Sequence, residues 1–307
     1  MKWSRRMRVF NPLQHSALWT HAMMPKAKIL CESRGLVEVI FGRRDLENRS
    51  HIHRLVLEVE KRQVLDLSVD SILQPGAIGA FDDAGVSPGS LMERDGTDFL
   101  YYTGWNRTLG VPFNNSIGLA RREGAKFVRL GHGPILTRSL HEPFSVASPS
   151  VLPRDDGYVM WYSSMDEWQQ LTGKLRHKYD IKVAFSADGV EWEQSGLRAI
   201  TYANNSEYAF GCSSVLVDNG THYMWYPYRG VNYRIGFATS VDGLEWFRQD
   251  FSPLALDPDP DSDWDSDMVC YPSVFLLGGT LFMLYNGNGY GLTGFGIAEL
   301  EGKFDPR

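Results

Sequence analysis

"ASPSVLPRDDGYVMWYSS", residues 147–164, sets two strand-like runs on either side of "PRDDG". Asp-Asp-Gly supplies the tight turn, and flanking residues rich in Val, Trp and Tyr suit the two arms of a β-hairpin. The same arrangement occurs at "MMPKAKIL" (23–30), "VSPGSLM" (86–92), "CSSVLV" (212–217) and "YPSVFL" (271–276), each followed by a short turn and an aromatic run such as "LVEVIFG", "FLYYTGW", "HYMWYPY" or "LFMLYNG". The anchors Pro25, Pro88, Pro149, Ser213 and Pro272 lie 59 to 64 residues apart, so five near-equal periods fill the chain.

A third strand follows each hairpin: "HIHRLVLEV", "SIGLARR", "IKVAFSA", "RIGFATS" and "GFGIAEL". A looser fourth closes the complete units, as in "FVRLGHGPIL" and "WFRQDFSPLAL". Four antiparallel strands repeated around an axis form a propeller blade, so the expected fold is all-β, one five-bladed β-propeller over 1–307, with blades at about 15–75, 76–137, 138–201, 202–256 and 257–300. The fifth unit stops after three strands. The N-terminal "WSRRMRVFNPL", with the strand at 3–12, is expected to supply its fourth and close the ring. "SADGVEW" and "SVDGLEW" read as structural turns with Gly at the tight position and Trp folded back.

Composition agrees with a globular chain: 43% hydrophobic, 22% charged and 13% aromatic. A net charge of -6 with no long basic stripe argues against nucleic acid as the main partner. The basic N-terminus lacks an apolar run, and "VFLLGGTLFMLY" is too short to span a bilayer, so no membrane partner and a cytoplasmic location are expected. Cys31, Cys212 and Cys270 are too few and too far apart for a disulfide framework.

Acids recur ahead of four anchors: Asp82 and Asp83, Glu142, Glu207 and Asp267, each five to seven residues upstream; His21 takes that region in the first unit. In a blade the start of the first strand and the loop after the second open on the same face. The five acids are therefore expected to converge at the channel mouth. Paired carboxylates suit glycoside cleavage, one protonating the leaving oxygen while the other activates water or attacks the sugar. The loops after the second strands add the candidate ligand residues Arg43, Arg44, Asp45, Trp105, Asn106, Trp168, Tyr228, Arg229, Asn286, Asn288 and Tyr290, types that hydrogen-bond hydroxyls or stack on sugar faces.

With "GRRDLENRSHI", "FDDAGVSPGS", "LYYTGWN", "PFNNSIGLA", "MWYPYRG", "YRIGFATSVDG", "WDSDMVCYPSVF" and "MLYNGNGYGLTGFG" in view, the whole chain resembles the five-bladed propeller glycosidases of glycoside hydrolase families 43, 32, 68 and 130. The resemblance implies a set of three acids: a base or nucleophile, a second acid that tunes and orients, and a proton donor. With His21 in the usual first-blade position, the roles would fall to Asp267 as base, Asp82 or Asp83 as modulator and Glu142 as acid, with Glu207 its rival. It also implies that Arg43, Arg44 and Arg229 could take a phosphate or carboxylate, as in the family 130 mannoside phosphorylases. No cofactor is expected. The acid run "DPDPDSDWDSD" (257–267) is weighed as a structural calcium loop but lacks the central Gly and terminal Glu of that motif.

The function expected is cleavage or transfer of a glycosidic bond in an oligosaccharide, polysaccharide or glycoside, by hydrolysis, phosphorolysis or transfer. The competing class is a propeller that only binds carbohydrate. Absence of a suitably spaced carboxylate pair across the funnel would favour binding.

Overall fold

The structure is a computed structural model that describes residues 1–15, 17–171, 173–302 and 304, with the side chain of residue 5 also left undescribed. The fold is all-β apart from single helical turns at Pro12–Gln14, Glu32–Arg34 and Asn288–Gly291.

Blade one comprises Met23–Cys31, Leu36–Arg44, Ser50–Glu58 and Gln63–Leu67, each pairing antiparallel with the next. Blade two repeats this with Gly85–Arg94, Thr97–Asn106, Asn114–Glu123 and Lys126–Arg129. A parallel pair, Ser50 with Gly85, joins these two blades into one eight-stranded sheet. Blade three, Val146–Arg154, Gly157–Leu171, Lys174–Ser186 and Glu193–Ile200, has a long second hairpin rising beyond the others. In blade four the inner strand is split into Ala209–Phe210 and Ser214–Asp218, followed by Thr221–Arg229, Tyr233–Ser240 and Phe247–Arg248. Blade five is Cys270–Leu277, Thr280–Asn286 and Phe295–Glu301, and Lys2–Phe10 pairs with Phe295–Glu301 as its outer strand.

Each blade is a single two-faced sheet, so its apolar residues are buried against a neighbouring blade. All five seams carry such a cluster. Ile40 and Ile52 meet Val86 and Leu100 between blades one and two. Tyr101 and Leu119 meet Met160 and Ala184 at the next seam, Trp161 and Val183 meet Met224 and Ala238 at the third, and Trp225 and Phe237 meet Met283 and Tyr285 at the fourth. Phe10, Leu284 and Phe295 of blade five pack on Val39 and Phe41 of blade one. Full burial of each such side chain contributes about 1.5–3 kcal/mol.

The two S-x-D-G turns act across seams. Asp188 Oδ1 accepts from the amides of Val190 (2.8 Å) and Glu191 (2.9 Å), and Gly189 offers its carbonyl to Tyr101 Oη of blade two (2.9 Å). Asp242 and Gly243 repeat this, the carbonyl accepting from Trp161 Nε1 of blade three at 2.9 Å. Gly189 and Gly243 have φ of 75° and 74°, a region costly for any residue with a Cβ.

Near the axis the inner strands approach closely. A methyl group on Gly89 would come within 2.5 Å of Pro149 Cγ, and the buried Cys212 lies against the carbonyls of both residues. Met23, Met24 and Cys212 pack together with Tyr271, and Met23, Met24 and Tyr271 form part of the floor of the central cavity.

Candidate functional site

Above that floor is a cavity of about 620 Å³, within the range of small-molecule sites. Each blade contributes to its wall: His21, Met24 and Arg44 from blade one; Thr103, Trp105, Arg107, Phe113 and Asn115 from blade two; Ser148, Ser163, His177 and Tyr179 from blade three; Phe210 and Tyr233 from blade four; Tyr271 and Tyr290 from blade five. Met24, Ser148 and Tyr271, each just before an anchor proline, have left-handed φ of 55°, 58° and 54°. The amides of the first two turn out of the strand ladder. Met24 donates to Asn286 Oδ1 (2.8 Å) and Ser148 to Thr103 Oγ1 (2.8 Å). Strain of this kind is held by surrounding structure and clusters at functional sites.

Among the described residues, no Asp or Glu lines this cavity. The expected convergence of acids at the channel mouth is not what the structure contains. Asp82, 1% exposed, accepts from Tyr102 Oη (3.1 Å) and Arg129 Nε (2.8 Å). Glu142, 3% exposed, accepts from Tyr162 Oη (2.8 Å) and Ser164 Oγ (2.6 Å), with Lys182 Nζ at 3.7 Å. Glu207 accepts from both terminal nitrogens of Arg248 at 2.9 and 3.1 Å. In blade five the equivalent is Asp265, bound by Tyr285 Oη (2.8 Å) and by Arg6 of the N-terminal strand. The repeated acid is thus a buried tie within its own blade, in most blades to a cation on the outermost strand. Asp83 is half-buried and accepts from the Gly79 amide at 2.8 Å, and Asp267 is exposed beside Asn288.

The ligand candidates divide along strand alternation. Adjacent residues on a strand face opposite sides. Arg44 enters the funnel, whereas Arg43, 3% exposed, turns to the seam with blade five, its guanidinium 5.7 Å from the Phe10 ring and 5.2 Å from Trp19; burial lowers its pKa to about 10. Arg229 likewise bonds the Tyr290 hydroxyl and lies 5.5 Å from the Tyr233 ring, while Tyr228 faces Arg248 on the other side.

Trp105 and Tyr290 line the cavity, Trp105 donating to Ser50 Oγ at 2.8 Å. Trp168 instead stands behind Phe113 and His177. Asn106, half-buried, ends its strand opposite Asn114 and lies outside the lining. Asp45 is consumed by its own loop, accepting from the Glu47 and Arg49 amides at 3.0 and 2.8 Å and from His51. Asn286 is fully buried and donates to the Ala22 and Gly294 carbonyls at 2.7 Å each. Asn288 holds the Asp267 and Met268 amides.

The residues that reading the sequence missed are Arg107, Phe113, Asn115, His177, Tyr179, Tyr233 and the left-handed trio. Arg107, Phe113, Asn115, His177, Tyr179 and Tyr233 all lie in the stretches after second strands, 104–116, 164–180 and 227–233, that supplied the candidate ligand residues, and the trio shares one repeat position. Burial, with Arg44 second, lowers the pKa of His21 to about 4; burial, then Arg229 and Arg176, does the same to His177. Both imidazoles are neutral at pH 7. Among the described residues no group of three His, Cys, Asp or Glu side chains is placed to hold a metal ion. Three of the six acids of 257–267 meet arginines instead: Asp257 meets Arg234, Asp263 meets Arg8 and Asp265 meets Arg6. No described helix is long and apolar enough to cross a membrane.

No family model matches the chain. Two Mycobacterium tuberculosis proteins, uncharacterized protein MT1551 and uncharacterized protein Rv1502, are each 40% identical to it over 305 and 306 residues, covering 98% of this chain and 100% of each relative. Among solved structures, BT0996 in an RGII complex superposes with a TM-score of 0.72 at 15% identity, over 98% of this chain and 92% of that one. An α-L-arabinofuranosidase from Lactobacillus brevis gives 0.67 at 13%, covering 94% of each chain. Sucrose-6-phosphate hydrolase from Lactobacillus gasseri gives 0.64 at 13%, covering 95% of this chain and 63% of that one. The fold is that of the five-bladed propeller glycoside hydrolases.

Proposed function

This protein belongs to the family of the mycobacterial proteins MT1551 and Rv1502 and has the propeller glycosidase fold, and on that basis we propose that it is a carbohydrate-active propeller that takes a saccharide in its central funnel. The observation that carries this reading is the lining: Trp105, Phe113, Tyr271 and Tyr290 offer apolar faces, and Asn115, Ser148, Ser163 and Thr103 offer hydrogen-bonding groups, around a preformed cavity. The same lining separates binding from cleavage. Glycoside hydrolysis by two carboxylates needs them about 5 to 9.5 Å apart on either side of the bond. Among the described residues the funnel wall holds none, and the recurrent acids are engaged inside the blades, which favours recognition of the sugar.

Glycosidic bond cleavage is the second reading, favoured by the fold, which is shared with an arabinofuranosidase and a sucrose-6-phosphate hydrolase. It would require a proton donor other than a funnel carboxylate. A screen of aryl glycosides and oligosaccharides, with and without phosphate, distinguishes the two when turnover and thermal shift are followed together. Binding predicts a ligand-dependent rise in melting temperature without product. Turnover lost on Trp105→Ala but retained by a folded Glu142→Gln variant would place cleavage in the funnel without the acids.

A further inference from the structure

Among the described residues, four arginines stand at or just behind the funnel wall without a carboxylate partner. Arg44 bonds Asn48 Oδ1 (3.0 Å). Arg107 donates to the Glu47 carbonyl (2.6 Å), Arg176 to Gln169 Oε1 (2.6 and 3.1 Å), and Arg229 to the Tyr290 hydroxyl. The Nε atoms of Arg44 and Arg229 are buried and, among the described residues, have no hydrogen-bond partner. Elsewhere Arg6, Arg122, Arg129, Arg198 and Arg248 meet carboxylates, while Arg43, buried away from the cavity in the seam between blades one and five, lies against the Phe10 and Trp19 rings instead. With a net charge of -6 the protein has acids to spare, yet no described one lines this cavity.

Desolvated guanidinium groups without a counter-ion are unfavourable unless something supplies the missing charge. We propose that the funnel ligand is an anionic saccharide, a sugar bearing a carboxylate or phosphoryl group, whose oxyanion is received by Arg44 and Arg229 while its ring lies against Trp105 and Tyr290. The proposal rests on the saccharide reading above and names its ligand class. Planar guanidinium groups suit both oxyanions because two N–H donors match two oxygens. The lowered pKa values of His21 and His177 fit the same positive field, since a bound anion would remove part of its cause. Arg107, exposed at the rim, adds long-range attraction for an incoming anion.

The test is a glycan array carrying neutral, uronate-bearing and phosphate-bearing glycans, followed by calorimetry on the hits with inorganic phosphate as a separate probe. The acidic glycan is expected to bind at least about tenfold more tightly than its neutral parent and to weaken as salt is raised. Arg44→Ala should remove that preference, and Arg229→Ala should do the same should Arg44→Ala fail to fold. The uronate and phosphate arms identify which oxyanion is recognised. Equal binding of neutral and acidic glycans overturns this inference while leaving the saccharide reading standing. Inorganic phosphate binding as tightly as any glycan overturns the claim that sugar and anion are recognised together. Binding of no glycan overturns both.

Discussion

Asp82 and Asp267, both expected at the channel mouth, have opposite fates, because the structural counterpart of Asp82 in blade five is Asp265. Asp82 is buried between Tyr102 and Arg129, whereas Asp267 is exposed. Removing one partner of a buried pair strands the other charge, at a cost of about 3 kcal/mol or more. Asp82→Asn and Glu142→Gln should each lower unfolding free energy by about that amount in denaturant titrations, while Asp267→Asn should stay within about 0.5 kcal/mol of the wild type. Comparable stability for all three would undo the assignment of the acids as structural ties. The histidines give a second check. In the unfolded chain His21 and His177 titrate near about 6.5, and in the fold near about 4. Their contribution to stability is therefore present above pH 6.5 and drains away as the pH falls toward 4. Proton NMR of the two imidazoles should show midpoints near 4, and midpoints near 6.5 would contradict the positive, desolvated funnel. The buried role of the acids was legible in part: Asp82, Glu142 and Asp265 each stand twenty residues before a second-strand tyrosine. What the local sequence hides is the cation. Arg129 lies 47 residues beyond Asp82, and Arg6 reaches Asp265 from the opposite end of the chain.

Two elements shape the funnel. The long hairpin of blade three, Gly157–Leu171 with Lys174–Ser186, brings His177 and Tyr179 to the wall. Arg198 secures it, bonding Asp166 at 3.1 and 3.2 Å and the buried Asp180. Arg198→Ala leaves Asp180 buried without its guanidinium, and hydrogen exchange over residues 166–180 should accelerate while the other blades stay protected. Uniform acceleration would show that the hairpin does not open independently. The second element is Lys2–Phe10, legible from the truncated fifth repeat because a sheet edge left open there would be exposed. Deleting it removes Phe10 from the seam between blades five and one and Arg6 from Asp265, and should produce a steep loss of melting temperature with self-association. The split inner strand of blade four was less legible: Gly211 marks a weak point in the strand, but nothing local sets the length of the gap that runs from it to Ser213.

At the scale of the molecule, five anchors at near-equal spacing revealed the propeller because every blade must bury two faces against its neighbours. The same regularity misled the site reading. A residue common to all blades answers a need that all blades have, and closing a four-stranded sheet is such a need. Apart from the left-handed trio Met24, Ser148 and Tyr271, the funnel wall is built from residues that differ from blade to blade: Arg44, Trp105, His177, Tyr233 and Tyr290 occupy no common motif. Ligand recognition at the axis is asymmetric, so most of its residues escape a search for repeats. Trp105→Ala should accordingly weaken saccharide binding about tenfold or more while costing little stability, because one face of the ring borders the cavity. Whether function resides in this funnel, lined by no carboxylate among the described residues, is decided by a crystal structure with a bound glycan taken from the array. Density for the sugar is expected against Trp105 and Tyr290, with its acidic group toward Arg44 and Arg229; a glycan bound instead in contact with Asp82, Glu142 or Glu207 would show that the funnel wall is not the site.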